Sequence, residues 1–221
     1  MELQVAASRT LRVRKPSQQR GEETLEALRD AAAGMLRSRD YARISVADLA
    51  RKAGIGVGTF YHFYPSKEAL LLDLREQIFA RTMGELGQGF QDTPITDGKS
   101  VVAALTRLIT TLVELVQRRR GLERAVGAVS YVDPAFAAEL RRQEMGVQET
   151  VAGILRAYAA GLRPTDPDLA ARMCVILVEA VVARAMREPD LAENPGPVAA
   201  EAARMLARYL LPPRASLGGQ P

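Results

Sequence analysis

The stretch SVADLARKAGIGVGTFYHFYPSKEAL, residues Ser45 to Leu70, decides the fold of this chain. It contains two short helical segments, Val46 to Ala53 and Val57 to Phe63, joined by the turn Gly54-Ile55-Gly56. A serine N-cap precedes the first segment, and Pro65 to Glu68 predicts the start of a third helix. This order of elements is typical of a helix-turn-helix, in which the second helix reads base edges in the DNA major groove.

Positive charge is concentrated around this stretch. Residues 1–70 hold 12 Lys and Arg against 8 Asp and Glu, a difference of +4 that equals the net charge of the whole chain. The first 20 residues contain one acidic residue, Glu2, and five basic ones, which are Arg9, Arg12, Arg14, Lys15 and Arg20. Such a basic arm favours contact with phosphate or with the minor groove of DNA. A solvated tail is the alternative.

Composition limits the class of protein. A chain of 221 residues with 48% hydrophobic and 25% charged residues suits one large or two small packed domains. No uncharged apolar run approaches the length of about 18 residues that a membrane-spanning helix needs, and the N-terminus does not resemble a signal peptide. Cys174 is the only cysteine, which excludes an intrachain disulfide. We therefore expect a cytoplasmic protein without membrane contact.

Helical periodicity covers most of the chain. Apolar residues at spacings of three and four predict a first helix from Glu22 to about Arg39. Ser66 predicts the N-cap of a helix from Lys67 to about Leu86, and a loop from Gly87 to Gly98 follows. Further helices are expected from about 134 to 160, 167 to 187 and 195 to 211, each after an Asp-Pro or Asn-Pro pair. Because no strand-like alternation competes, the predicted fold class is all-α.

These residues resemble the TetR family of bacterial transcription regulators. The likeness runs from about Arg20 to Leu72 and depends on typed positions at fixed spacing. They are Ser45-Val46, Leu49-Ala50, Ala53-Gly54-Ile55, Gly58-Thr59-Phe60-Tyr61, Phe63-Tyr64 and Ser66-Lys67-Glu68-Ala69-Leu70. Two positions depart from the family pattern: Asp40 stands where glycine is common, and Gly56 where a hydroxyl side chain often caps the recognition helix.

The resemblance implies a division of labour along the chain. Residues 1–20 would be a flexible basic arm, 21–66 a three-helix DNA-binding domain, 67–211 a helical domain for ligand binding and dimerisation, and 212–221 a flexible tail. The family implies a sequence-specific regulator, released from a pseudo-palindromic operator when a small, largely apolar ligand binds to the homodimer. A ligand-independent architectural or activating DNA-binding protein is the alternative.

The resemblance also assigns DNA contacts. Val57 to Phe63 would be the recognition helix, with four residues facing the groove: Val57, Gly58, Thr59 and His62. Tyr61 and Lys67 would bond phosphates, and Ser45 would cap its helix and also reach phosphate. A buried structural Tyr61 is the alternative for that residue. Because the recognition helix contains no Arg, Asn or Gln, we expect sparse direct base readout and some dependence on DNA shape.

Two further sets of residues follow from the resemblance, each with plain core packing as the alternative. The candidate ligand-binding residues are Phe79, Met83, Leu108, Leu112, Phe136, Met145, Met173 and Glu179. The candidate dimer residues, on the last two long helices, are Val175, Val178, Val182, Val198, Ala202, Met205 and Tyr209.

No catalytic or metal-binding pattern competes with this interpretation. His62 is the only histidine, and the chain contains neither a His-Glu-x-x-His motif nor a cysteine pair. Cys174 lies among apolar residues, which indicates a buried, unreactive thiol. We therefore expect no cofactor, no metal and no enzymatic activity.

Overall fold

The computed structural model describes residues 11, 13, 19–91 and 97–213, and it is helical. Its α-helices are α1 (Gln19–Leu36), α2 (Val46–Lys52), α3 (Val57–Phe63), α4 (Lys67–Gln91), α5 (Gly98–Arg118), α6 (Arg120–Val132), α7 (Pro134–Ala157), α8 (Pro167–Ala185), α9 (Pro189–Glu193) and α10 (Gly196–Leu210). Short 3₁₀ helices cover Tyr41–Arg43 and Ala159–Gly161. No strand occurs in the described residues, and the all-α prediction is confirmed. Most of the predicted basic arm and the end of the predicted tail lie outside the described residues.

Some helix boundaries differ from the prediction. Helix α4 continues to Gln91, so the loop predicted from Gly87 to Gly98 was placed too early at its start, and residues 92–96 lie outside the described residues. A glycine in a helix costs only about 1 kcal/mol, which a long helix tolerates. A single residue, Arg119, separates α5 from α6, and this break was not predicted.

The Asp-Pro pairs cap helices as predicted. Asp133 Oδ1 accepts hydrogen bonds from the backbone N–H groups of Ala135 and Phe136 at 2.9 and 3.0 Å. Asp166 Oδ1 accepts two equivalent bonds, each 3.0 Å long, at the start of α8. The Asn194-Pro195 pair behaves differently, since α10 begins at Gly196 with Pro195 as its N-cap and without a side-chain cap.

The chain forms two compact units whose boundaries differ from the predicted boundary after residue 66. The first unit comprises Met1–Thr82 and Arg119–Gln143, and the second comprises Met83–Arg118 and Glu144–Pro221. Helix α6 and the start of α7 therefore belong with the helix-turn-helix. The reason is a shared hydrophobic core, to which these two helices contribute Leu122, Ala125, Val126, Val129 and Phe136.

In the first unit, α6 begins directly against the last turn of α1. A Cβ atom placed on Gly121 would lie 1.8 Å from the carbonyl oxygen of Leu36, far inside any van der Waals contact. Only glycine permits this approach of the two backbones.

In the second unit, α5 packs against α8 and α10. Ile109 is fully buried against Ala199 and Ala202, and Val113 against Ala185 and Leu191. By length and composition alone, α5 would be long and apolar enough to cross a membrane, as the core helix of a soluble protein also can be. Only 17% of this apolar stretch is buried within the unit, chiefly through Ala104, Ile109 and Val113.

Candidate nucleic-acid interface

A capping box fixes the start of α2. Ser45 Oγ accepts from the backbone N–H of Asp48 at 3.1 Å, and the Asp48 carboxylate accepts in return from the Ser45 backbone N–H at 3.3 Å. The hydrogen bonds from Ser45 hold the pKa of Asp48 below its ordinary value. The predicted N-cap role of Ser45 is thus confirmed, whereas Asp48 was missed although Ser-x-x-Asp is its sequence signal.

The turn between α2 and α3 is a Schellman motif. Gly54 has a φ of +71°, a left-handed conformation that glycine adopts without strain. The Ile55 N–H donates to the Ala50 carbonyl at 3.0 Å, and the Gly54 N–H donates to the Arg51 carbonyl at 3.2 Å. Ile55 is half-buried and packs against the core of the first unit.

Helix α3 presents one face to the core and the other to solvent. Phe60 and Phe63 are buried. The opposite face, here called the α3 face, consists of the exposed residues Val57, Gly58, Thr59, Tyr61 and His62. Tyr61 is 55% exposed, which rules out the alternative of a buried structural tyrosine. Gly56 supplies no side-chain cap, in agreement with its departure from the family pattern.

Tyr64, the residue after α3, belongs to a buried polar cluster that the sequence did not reveal. Its hydroxyl donates to Asp73 Oδ2 at 2.5 Å, and Arg29 donates to both carboxylate oxygens of Asp73 from Nε and Nη2, at 2.6 and 3.2 Å. Burial raises the pKa of the Tyr64 hydroxyl well above its ordinary value. Arg29, Tyr64 and Asp73 join α1, the end of α3 and α4; we call them the Asp73 cluster.

Lys67 has contacts that explain why a cation stands at the start of α4, where the helix dipole disfavours it. Its Nζ donates to the carbonyl oxygens of Ile44 at 3.2 Å and Tyr41 at 3.4 Å, and lies 4.3 Å from the centre of the Tyr41 ring. The Tyr41 hydroxyl in turn donates to Glu68 at 2.8 Å. Lys67 therefore holds the 3₁₀ helix against α4, whatever else it binds.

Basic side chains surround the helix-turn-helix. Between α1 and α3, the exposed cations are Arg37, Arg39, Arg43, Arg51 and Lys52. Arg51 bonds Asp48 at 2.5 Å, and its side chain remains 75% exposed. These cations outnumber the acidic residues Asp40 and Asp48 of the same stretch, which gives it a positive charge.

The candidate ligand residues fall in different environments. In the second unit, Met83, Leu108 and Leu112 are half-buried, whereas Met145, Met173 and Glu179 are exposed. In the first unit, Phe79 is half-buried, and Phe136 is fully buried in the core that contains the helix-turn-helix. The exposed and the core positions could not be told apart in the sequence, because each lies on an apolar stripe of a helix.

The candidate dimer residues also divide by exposure. Ala202 is buried within its own chain, and Val175, Val178 and Val182 are half-buried. The second unit exposes six large apolar side chains on α8 and α10, here called the α8–α10 set: Leu169, Met173, Ile176, Val198, Met205 and Tyr209. Sequence reasoning missed Leu169 and Ile176, since the unbroken apolar run 173–178 hides which face of α8 is outward.

The thiol of Cys174, in the second unit, is buried. Burial raises the pKa of Cys174 to about 11, so the thiol is protonated at neutral pH. Among the described residues, no three His, Cys, Asp or Glu side chains lie close enough to hold a metal ion.

Two sequence families match the chain. Residues 28–74 match "Bacterial regulatory proteins, tetR family", and residues 100–210 match "Tetracyclin repressor-like, C-terminal domain". Among individual relatives, the regulator EthR of Mycolicibacterium smegmatis is 33% identical over 94 residues, which are 42% of this chain and 43% of that protein. EthR of Mycobacterium tuberculosis is 41% identical over 75 residues, 34% of this chain and 33% of that protein. The chain thus matches less than half the length of these relatives.

Solved structures share the fold along most of the chain. The complex of SmeT with triclosan superposes with a TM-score of 0.65 at 22% identity, covering 89% of this chain and 96% of SmeT. A TetR transcription regulator from Haloarcula marismortui gives 0.64 at 19% identity, covering 86% of this chain and all of that one. Together with the matched domains, the helix-turn-helix geometry leads to one conclusion: the chain belongs to the TetR family of helix-turn-helix transcriptional regulators.

Proposed function

We propose that this protein is a repressor that binds a pseudo-palindromic operator as a homodimer and leaves it when a small, largely apolar ligand binds. The observation that carries the proposal is the α3 face. Five residues of the short helix α3 are exposed on this face, while its other side packs into the core of the first unit. Exposed cations precede α3 in the sequence. Such a surface fits the major groove of DNA. We place this activity in the cytoplasm, where operator and regulator meet.

The proposed DNA contacts divide between bases and phosphates. Methyl groups of Val57 and Thr59 suit contact with thymine, and His62 is the one ring nitrogen donor on this face. The Tyr61 hydroxyl is exposed for a phosphate. An ammonium group has three donors, so Lys67 retains one for a phosphate beyond its two carbonyl bonds. The exposed Ser45 is a further candidate, although its hydroxyl already serves the capping box.

Dimerisation is proposed through the α8–α10 set. These six exposed side chains lie on two helices that pack against each other, and an apolar patch formed by such side chains marks an interaction site. A second copy of the same surface would bury them in a symmetric contact. Two recognition helices could then enter successive major grooves, about 34–36 Å apart.

The ligand is proposed to bind in the second unit. Met83, Leu108 and Leu112 are the candidate lining residues that are half-buried there, and their chemistry suits an apolar molecule. SmeT, which shares the fold, has been solved in complex with triclosan. Ligand binding would change the angle of α4, so that the two recognition helices no longer match the groove spacing and affinity falls.

A binding measurement tests the proposal. Fluorescence anisotropy with the DNA upstream of the protein's own gene, and enrichment from a random duplex pool, should give a salt-dependent, sequence-preferring complex. Tyr61→Phe should weaken binding to all sequences, whereas Thr59→Val and His62→Ala should alter the preferred sequence. Binding without any sequence preference would favour an architectural role instead, and absence of binding would reject both functions.

A further inference from the structure

The Asp73 cluster is unusual among the polar contacts of the first unit because a carboxylate is buried at its centre. Asp73 is only 7% exposed, and Oδ2 receives both the Tyr64 hydroxyl at 2.5 Å and Arg29 Nε at 2.6 Å. Arg29 Nη2 donates to the second oxygen at 3.2 Å, which makes the ion pair bidentate. A buried charge that is paired and hydrogen-bonded on both oxygens holds its partners in a narrow range of geometries.

Helix α3 needs such a constraint, because it cannot fix its own position. It has seven residues, or about two turns, and no side-chain N-cap. A helix this short is not stable by itself, so its neighbours determine where it lies. Phe60 and Phe63 bury its inner face, but apolar packing alone is non-directional and permits small rotations and shifts.

Tyr64 connects α3 to the cluster by its backbone and its side chain. Its N–H donates to the Phe60 carbonyl at 2.9 Å and closes the last turn of α3. Its ring lies 5.8 Å from the ring of Phe60, and its hydroxyl bonds Asp73 on α4, which Arg29 joins to α1. A displacement of α3 would therefore stretch a short, directional bond.

We propose that the hydrogen bonds of Tyr64 and Arg29 to Asp73 hold α3 in one position, and that this position sets how well the protein distinguishes its operator from other DNA. The three residues are positioning residues, since none lies on the α3 face. The inference rests on the proposed DNA-binding function and adds the source of its specificity. Phosphate contacts give non-specific affinity at many helix positions, whereas base contacts require one register in the groove.

The choice of tyrosine at position 64 supports this inference. A phenylalanine would bury the same ring, so the hydroxyl is not needed to fill the core. A tyrosine hydroxyl is protonated in the physiological pH range, and burial raises the pKa of Tyr64 further, so this hydroxyl donates to Asp73 throughout that range. The hydrogen bond that it donates is directional, and a recognition helix needs a fixed orientation to contact particular bases.

The test compares Tyr64→Phe with Tyr41→Phe. Both changes remove a tyrosine hydroxyl that donates to a carboxylate in the first unit, but Tyr41 joins the 3₁₀ helix to Glu68 and does not hold α3. The probes are the duplex of about 30 base pairs that the wild-type chain enriches from a random pool, and a shuffled duplex of equal composition, long enough for two half-sites one turn apart. Affinities are measured at a temperature where circular dichroism shows each variant fully folded.

For Tyr64→Phe we expect operator affinity to fall about 10-fold, equivalent to one charge-assisted hydrogen bond, while shuffled-duplex affinity stays within about two-fold. Tyr41→Phe should keep the ratio of the two affinities within about two-fold of the wild type, whatever it does to the melting temperature. An unchanged ratio in Tyr64→Phe, or an equal loss on both duplexes, would overturn the inference.

A second variant guards against an effect of the ring alone. Arg29→Lys keeps the positive charge but loses the fork that binds both oxygens of Asp73. We expect it to lower the operator-to-shuffled ratio in the same direction, and a ratio equal to that of the wild type would contradict the role of Arg29. A wild-type chain that enriches no duplex at all would reject the proposed function, and this inference with it. Enrichment by the wild type with an unchanged Tyr64→Phe ratio would reject the inference alone.

Discussion

At the scale of single residues, replacing each of two glycines of the helix-turn-helix by alanine should have opposite effects on stability. Gly54 has a φ of +71° and no atom within 4 Å of the place where a Cβ would stand, so its need is purely conformational. Gly54→Ala should lower the free energy of unfolding by about 1–2 kcal/mol, the cost of a left-handed backbone for a residue with a side chain. Urea unfolding followed by circular dichroism measures it, and an unchanged midpoint would contradict the assignment.

Gly58 serves as the matched comparison. It lies within α3, and a Cβ there would also meet nothing within 4 Å. Gly58→Ala should stabilise the chain by up to about 1 kcal/mol, because alanine favours the helix. The added methyl group stands on the α3 face, however, so we expect weaker DNA binding by anisotropy. Undiminished binding would show that close approach to DNA is not the reason for this glycine.

Glu123 makes stability depend on pH. Burial raises its pKa, and the charges of Arg75 and Arg119 only partly oppose that rise. The folded state therefore binds the proton more tightly than the unfolded chain does. The contribution of Glu123 to the free energy of unfolding is therefore complete at pH values below its pKa in the unfolded chain, about 4.3. It is lost as the pH rises through its pKa in the folded state.

Glu123→Gln should remove the loss of stability that ionisation of Glu123 causes. We expect the variant to gain stability relative to the wild type at pH 7, and the gain to shrink as the pH falls towards 4. The exposed Glu193→Gln is the control and should show no such trend. Thermal unfolding at both pH values measures the difference, and an equal effect of Glu123→Gln at pH 4 and pH 7 would exclude a titration of Glu123.

Local residue roles were predictable where one short motif contains the whole interaction. The Ser45 cap and the turn at Gly54 both follow from neighbours within a few positions. The buried state of Asp73 was not predictable, because its partner Arg29 lies on another helix, far away in the sequence. The DNA, ligand and dimer assignments remain predictions.

At the scale of helices, the periodicity of apolar residues predicted which helices exist better than where they begin and end. The range of α3 agrees with the prediction, and α8 and α10 begin within one residue of it. The break at Arg119 was missed because 118–120 are three arginines, which neither stop a helix nor mark a turn. The break serves tertiary packing instead, since it allows Gly121 to meet the last turn of α1.

The close approach of α1 and α6 gives a prediction at this scale. Gly121→Ala would place a methyl group 1.8 Å from the Leu36 carbonyl oxygen, so the two helices must separate. We expect the unfolding free energy to fall by about 1–3 kcal/mol, the usual cost of overpacking. Gly127→Ala, on the same helix with open space around it, should instead stabilise by up to about 1 kcal/mol. Equal effects of the two substitutions in urea unfolding would contradict the close approach.

At the scale of the whole molecule, the α8–α10 set predicts the oligomeric state. A double change of Met173 and Met205 to Glu should convert a dimer to a monomer, because charges would be buried in the interface. Sedimentation equilibrium measures the mass. Met145→Glu, at a side chain that is 69% exposed outside the set, is the control and should leave the mass unchanged. A wild-type monomer would contradict the assignment, as would a double variant that remains dimeric.

The distribution of charge gives a second prediction at this scale. Replacement of Arg9, Arg12, Arg14 and Lys15 by Gln tests whether the basic arm binds phosphate. The slope of log affinity against log salt should become shallower by about 0.9 for each phosphate that the arm no longer neutralises. Anisotropy across a salt series gives the slope. An unchanged slope would identify the arm as a solvated tail.

The all-α class and the family were predictable from sequence because helical periodicity and the helix-turn-helix signature are both local. The composition of the two units was not. Leu122, Val126 and Phe136 look like ordinary helix-core positions, and only the folded chain shows that they complete the core around the helix-turn-helix.

That discontinuous first unit has a consequence for the order of events during synthesis. Leu28, Phe60 and Leu70 leave the ribosome long before Val126 and Phe136, which cover the same core. Contacts so distant in sequence form slowly, because a long loop must close first. The nascent helix-turn-helix therefore exposes apolar surface until Phe136 has been made, and a fragment that ends at Thr82 would keep that surface exposed permanently. In this protein the helix-turn-helix is translated early, but the hydrophobic core around it is completed only after Phe136 has been made.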